Sequence, residues 1–128
     1  MTTVGDIMTR DVLGVEPATT LLEAATRMHG RKVGAVVVMD NNRLAGILTE
    51  RDVLRAVATG GIDGAVADVM TASPDTVEAD ESAGHAAALM IHGGFRHLPV
   101  VEGDEVVGMI SIRDLVRVTV DDQAPRGA

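Results

Sequence analysis

The sequence predicts a mixed α/β (α+β) chain: two β-α-β-β-α repeats packed with pseudo-two-fold symmetry. The first observation behind this is an internal repeat. At an offset of 62 residues, Val4-Gly5-Asp6-Ile7-Met8-Thr9 falls on Val66-Ala67-Asp68-Val69-Met70-Thr71. With no gap, Gly46-Ile47-Leu48-Thr49-Glu50-Arg51-Asp52 falls on Gly108-Met109-Ile110-Ser111-Ile112-Arg113-Asp114. Second, each repeat alternates between helical apolar stripes and short β-branched runs. Third, clusters of Gly, Asn and Asp separate these segments, as turns require. The repeat assigns residues 1–62 to one copy and 63–120 to the other, leaving 121–128 as a disordered polar tail. Each copy alone is small for an independent core, so the two are expected to fold as one integrated body.

In the first repeat, Val12-Leu13-Gly14-Val15 reads as a short strand ended by Pro17. Thr20 followed by Glu23 is a capping-box pattern. Leu21, Leu22, Ala25 and Met28 then give an apolar stripe, so a helix is expected to about Arg31. Val33 to Met39 is nearly all apolar and β-branched, the composition of a buried strand. Asp40-Asn41-Asn42-Arg43 is a turn, because Asp and Asn bond their own backbone and tolerate left-handed angles. Leu44 to Leu48 returns as a strand, and a helix from Glu50 to about Ala58 stops at Gly60-Gly61. The second repeat runs in parallel. Thr76-Val77-Glu78 is its short strand and Ser82 to His92 its helix, ended by Gly93-Gly94. Phe95 to Val101 and Val106 to Ile110 are its strands, and Ile112 to Val120 its last helix.

Composition excludes several classes. The chain has 128 residues and a hydrophobic fraction of 46%, with Phe95 its only aromatic, so the core is aliphatic. No apolar run is long enough for a membrane span, and the N-terminus has no signal-peptide pattern. Without cysteine there is neither a disulfide framework nor thiolate chemistry. A cytoplasmic location is the expectation that remains. Lys plus Arg is 11 against 19 for Asp plus Glu, a net charge of −8. That balance opposes broad nucleic-acid binding, which needs basic surface, and docking on anionic lipid. It leaves room for a small anion held by a local cluster. Lys32 is the only lysine, and arginine supplies the forked donors that suit phosphate.

The strongest motif is Gly-x-x-[Thr/Ser]-x-x-Asp, once per repeat. Gly46 and Gly108 end a strand, Thr49 and Ser111 sit at a helix start, and Asp52 and Asp114 lie one turn in. A helix N-terminus offers unpaired N–H groups and the positive end of a dipole, both favourable to phosphate. The hydroxyl adds a donor, and the carboxylate can accept from ribose hydroxyls. Arg51 and Arg113 place a charged donor beside each helix start. The competing reading is a capping box with Asp in place of Glu or Gln. The preceding glycine, read as clearance for a ligand, and the recurrence in both repeats favour the nucleotide reading. Phe95-Arg96-His97-Leu98-Pro99-Val100 adds cations and a histidine that can titrate near neutrality. Its counterpart Val33-Gly34-Ala35-Val36-Val37-Val38 has neither, so the two sites are expected to differ. Phe95 could stack on a base, although a lone aromatic more often joins a core. His29, His85 and His92 lack the partners of a metal site. No Walker-type lysine loop, HExxH or nucleophile elbow is present.

Taken together, the quoted motifs resemble a tandem pair of cystathionine-β-synthase (CBS) domains, a Bateman module, over nearly the whole chain. The likeness is to the stand-alone bacterial form, with no catalytic or transport domain attached. The resemblance implies a non-enzymatic regulatory module binding AMP, ADP, ATP or S-adenosylmethionine in clefts between the repeats, with no resident cofactor or metal. By position, one cleft would use Thr49, Arg51 and Asp52 with Pro74, Asp75, Phe95, Arg96 and His97. The other would use Ser111, Arg113 and Asp114 with Val12, Leu13, Val33, Gly34 and Ala35. The resemblance also implies a homodimer formed through helices, and a regulated partner protein that the sequence does not identify. The alternative is a structural or protein-interaction module whose Thr49 and Ser111 merely cap helices. An enzyme acting on nucleotides is the third class, and no base–nucleophile pair supports it.

Overall fold

The computed structural model describes residues 1–123, a mixed α+β chain with two sheets and six helices. It divides into two compact units, and these do not follow the repeat boundary. A continuous unit comprises Val12–Pro74. A discontinuous unit joins Met1–Asp11 to the residues from Asp75 onward. The first eleven residues of repeat one are thus built into the unit that holds repeat two from Asp75 onward, and residues 63–74 of repeat two belong to the other unit.

The continuous unit contains β1 (Gly14–Val15), α2 (Leu21–Arg31), β2 (Ala35–Asp40), β3 (Arg43–Thr49), α3 (Glu50–Thr59), α4 (Val66–Val69) and β4 (Thr71–Ala72). Its sheet order is β1-β2-β3-β4. β2 lies between a parallel neighbour and an antiparallel one, so Val36, Val37 and Val38 are all buried. This explains the unbroken apolar run there. Asn41 and Asn42 close the β2–β3 turn at φ 51° and 66°. α2 begins at Thr20, whose hydroxyl accepts from Glu23 N. It buries Leu21, Ala24 and Met28, whereas Leu22 is 65% exposed. The inward stripe is therefore the i, i+3, i+7 set, and Leu22 of the expected stripe faces out. These side chains pack with Leu48, Ala56 and Val66 in one aliphatic cluster, each large one contributing roughly 1.5–3 kcal/mol by leaving water.

The discontinuous unit contains α1 (Val4–Ile7), β5 (Val77–Glu78), α5 (Ala83–Gly93), β6 (His97–Glu102), β7 (Glu105–Ser111) and α6 (Ile112–Gln123). Its sheet order is β5-β6-β7. Thr9 extends the pairing through two bonds with Met109, each 2.9 Å. Val4 is completely buried among Val77, Leu98, Val100 and Ile110. α1 starts with a capping box between Thr3 and Asp6. The bond from Thr3 N–H, and then the Thr3 hydroxyl, hold the Asp6 carboxyl below its ordinary 3.8.

Several element bounds differ from those expected. Phe95 and Arg96 precede β6 rather than open it, and Val12 and Leu13 precede β1. Pro99 sits in the central strand without an N–H. Its repeat counterpart Val37 donates to Leu13 O at 3.1 Å, a bond Pro99 cannot copy. Helix α6 runs through Gln123, three residues into the stretch expected as a tail. Residues 124–128 of that stretch lie outside the described residues.

Candidate functional site

In each unit a strand runs straight into a helix at the repeated motif. In the continuous unit Thr49 ends β3 and is the N-cap of α3. Its hydroxyl accepts from Asp52 N at 3.3 Å and donates to Asp52 Oδ2 at 3.1 Å. Thr49 N donates to the same oxygen at 2.9 Å. The capping box is therefore real and reciprocal. Glu50 N is satisfied by Gly34 O at 2.9 Å, and Ala35 lies in register with Thr49. This leaves Arg51 N–H as a first-turn donor with no acceptor among the described residues. The Arg51 side chain is exposed and makes no ion pair there. Asp52 is only 5% exposed. Its second oxygen, Oδ1, accepts from Arg55 at 3.4 Å.

The discontinuous unit repeats this arrangement with different surroundings. Ser111 N and Ser111 Oγ donate to Asp114 Oδ2 at 2.8 and 3.0 Å, and Asp114 N donates to Ser111 Oγ at 3.2 Å. Ile112 N is satisfied by Arg96 O at 2.8 Å, and His97 lies in register with Ser111. Arg113 N–H is again left open, beside an exposed guanidinium. Asp114 is half-buried, and its Oδ1 takes no bond from the described residues. Arg117, the counterpart of Arg55, makes no bond to it.

The predicted residues thus fall into two sets within units. Thr49, Arg51, Asp52, Val12, Leu13, Val33, Gly34, Ala35 and Pro74 belong to the continuous unit. Ser111, Arg113, Asp114, Asp75, Phe95, Arg96 and His97 belong to the discontinuous one. Leu13 and Val33 pack on the aliphatic cluster of their unit, and Phe95 on the cluster of its own. Arg96 is exposed and makes no ion pair among the described residues, and His97 is half-buried. The junction at Ser111 carries Arg96, His97 and Ile112, where the junction at Thr49 carries Gly34, Ala35 and Glu50. The second junction is therefore the more cationic. A phosphate would find more favourable charge there.

One expectation is corrected. The sequence predicts that the motif glycines leave clearance for a ligand. A Cβ on Gly46 would instead lie 2.6 Å from Met70 Sδ and 2.7 Å from Thr71 O. On Gly108 it would lie 2.5 Å from Met8 Sδ and 2.9 Å from Thr9 O. The space belongs to the Met-Thr segments of the same unit. Sequence reading missed this use of Met8 and Met70, although the repeat placed both identically. Among the described residues, no group of His, Asp or Glu could hold a metal ion. No described helix is long and apolar enough to cross a membrane.

Comparison with known proteins places this arrangement. The CBS domain model matches residues 4–59 and again 66–121. An uncharacterized 17.7 kDa protein of Acidianus ambivalens is 39% identical over 122 residues, covering 94% of this chain and 74% of that protein. The chain spans 19% of the length of two CBS domain-containing proteins of Arabidopsis thaliana that it matches at 42% identity over 104 residues, 78% of this chain. Among solved structures, the CBS domain pair of protein MJ0100, in complex with 5′-methylthioadenosine and S-adenosyl-L-methionine, matches with a TM-score of 0.92 at 25% identity. The match covers 96% of this chain and 99% of that one. CBSX2 in complex with AMP matches with a TM-score of 0.82 at 28% identity, covering 97% and 100%.

Proposed function

From the premise that this chain belongs to the CBS domain family and carries two such domains in tandem, we propose a non-catalytic regulatory module. It binds an adenine nucleotide or related adenosyl compound at its two strand–helix junctions. The observation that carries this is the set found once at each of the two helix starts: a hydroxyl, a carboxylate, and a backbone N–H and an arginine that have no partner among the described residues. Phosphate suits the open N–H of Arg51 or Arg113 and the guanidinium beside it. Ribose suits Asp52 and Asp114, because a carboxylate is an acceptor only. The complexes of MJ0100 and CBSX2 with adenosyl ligands support the same class of ligand here. Binding would favour whichever conformation holds the ligand better, and a partner protein would respond to that state. A cytoplasmic homodimer is part of this proposal.

The second reading is an interaction module with closed junctions. The reciprocal capping boxes and the filled space at both glycines favour it. One experiment separates the two. The chain has no Trp or Tyr, so an adenine carried through gentle purification would dominate absorbance near 260 nm. Thermal melts with ATP, ADP, AMP and S-adenosylmethionine complete the test. A ligand at 100 times its Kd stabilises by about 2.7 kcal/mol. With an unfolding entropy of roughly 2.1 cal/mol/K per residue, that raises Tm by about 10 °C. No shift with any of the four at millimolar concentration leaves the interaction reading standing.

A further inference from the structure

The two junctions differ at one contact that the motif does not specify. Arg55 and Arg117 occupy equivalent repeat positions, three residues after Asp52 and Asp114. Arg55 reaches back to Asp52 Oδ1 at 3.4 Å. Arg117 makes no such bond, and Asp114 Oδ1 remains without a partner among the described residues. Burial follows the contact. The Asp52 side chain is 6% exposed under an Arg55 side chain that is 63% exposed, whereas Asp114 is half-buried. In the continuous unit, a hydroxyl arriving at Oδ1 therefore meets an oxygen that Arg55 already holds, and competes with it for that side of the carboxylate. In the discontinuous unit it meets an open oxygen.

We propose that Arg55 is an internal competitor for the Asp52 carboxylate, making the Thr49–Asp52 junction the weaker of two unequal adenosyl sites. The inference rests on the reading that Asp52 and Asp114 receive ribose. Arg55 touches the carboxylate rather than the ligand, so its role is to set the affinity of that site through Asp52. The contact is long and its arginine end is exposed, so its displacement costs little. Exposed pairs of this kind are worth up to about 1 kcal/mol, which converts to an affinity change of about two- to five-fold.

The test uses 5′-methylthioadenosine, which carries no phosphate charge, so losing the Arg55 charge does not act on it at long range. Nitrogen-15-labelled protein is titrated by NMR, and each site's Kd is read from its own amides: Thr49 and Asp52 for one, Ser111 and Asp114 for the other. Wild type is expected to fill the Ser111 site first. Arg55→Met should tighten the Thr49 site about two- to five-fold and leave the Ser111 site unchanged. Arg117→Met should change neither. A mere stabilising role for Arg55 would lower Tm on substitution without tightening either site. If wild type binds but Arg55→Met leaves the Thr49 site unchanged or weaker, the competition is refuted and the ligand reading survives. If wild type shows no shifts at either junction, the ligand reading itself is refuted, and this inference with it.

Discussion

Adding one methyl group at Gly46 or Gly108 distinguishes packing from ligand clearance by the sign of the stability change. Neither glycine has positive φ, so alanine meets no backbone strain. Where space is free, Gly→Ala stabilises by about 0.4–1 kcal/mol by restricting the unfolded chain. Here the space is taken. At Gly46 the new Cβ meets Met70 Sδ at 2.6 Å, and a flexible thioether can swing aside. It also meets Thr71 O at 2.7 Å, and that carbonyl is fixed by the pairing of β3 with β4. At Gly108 it meets Thr9 O at 2.9 Å, which accepts from Met109 N. Relief requires the Met-Thr segment to shift as a unit. Overpacking of this kind costs about 1–3 kcal/mol. Over 128 residues, with roughly 2.1 cal/mol/K of unfolding entropy per residue, that is a Tm loss of about 4–11 °C. Thermal melts of Gly46→Ala and Gly108→Ala give the number. Faster amide exchange at Met109 in Gly108→Ala locates the disturbance in the Thr9 bridge. An unchanged or raised Tm in either variant would refute the packing argument and restore clearance as the glycine's purpose.

Four further outcomes are expected. Asp52→Ala and Asp114→Ala should each cost about 1 kcal/mol of stability, since both capping boxes are formed; under the ligand reading they also weaken adenosyl binding by about 1.5–3 kcal/mol, and calorimetric titration beside melts reads both. Arg96→Ala should reduce ATP affinity more than adenosine affinity, and the ATP loss should shrink as salt rises; equal losses at all salt concentrations would contradict a phosphate contact. Lys32 caps α2 at φ 56° where its repeat counterpart is Gly94 at φ 72°, so Lys32→Gly should gain roughly 0.5–1 kcal/mol in a urea melt. Asp6 has a depressed folded pKa, so its contribution is complete above 3.8 and is lost as pH falls through the lower folded value; Asp6→Asn should flatten the acid limb of the stability curve in that window and leave its neutral region unshaped by this group.

The repeat made most of the fold legible, because each local signal appeared twice in the same order. The Asn41-Asn42 turn, the glycine stop at Gly60 and the buried valines of β2 each carry a local cause, and each formed where expected; of the capping box expected at Thr20, the Thr20 hydroxyl caps Glu23 N while the Glu23 side chain pairs with Arg27 instead. The four-residue helices α1 and α4 and the short β4 did not show. They are too brief for periodicity, and their caps at Thr3 and Ala65 depend on Asp6 and Asp68 reaching back three residues. The division into units was hidden for a different reason. Sequence identity marks where a repeat recurs, whereas Val4 of α1 joins the cluster of Val77 and Ile110 through packing that the repeat pattern does not specify. The candidate site was legible in its residue types and not in its bonds. Asp52 and Asp114 look identical in the motif, and only the fold shows that Arg55 engages one and that Arg117 leaves the other alone.

The capping boxes and the proposed ligand contacts are linked by proton count rather than opposed. A threonine hydroxyl has one proton. At Thr49 it goes to Asp52 Oδ2 while the oxygen accepts from Asp52 N. A phosphate needs a donor, so the hydroxyl would have to rotate that proton away from Oδ2. Asp52 N could still bond the hydroxyl oxygen, so the helix keeps its N-cap. Oδ2 would keep the bond from Thr49 N and gain a vacant lone pair for a second ribose hydroxyl, beside the one that Oδ1 receives. Phosphate and ribose contacts would therefore assist each other through one rotor, at a cost of about one part-buried hydrogen bond, roughly 0.5–1.5 kcal/mol. The same count holds for Ser111 and Asp114. A closed capping box in the free protein is thus the resting form such a junction would adopt, and its presence is compatible with a ligand that opens it.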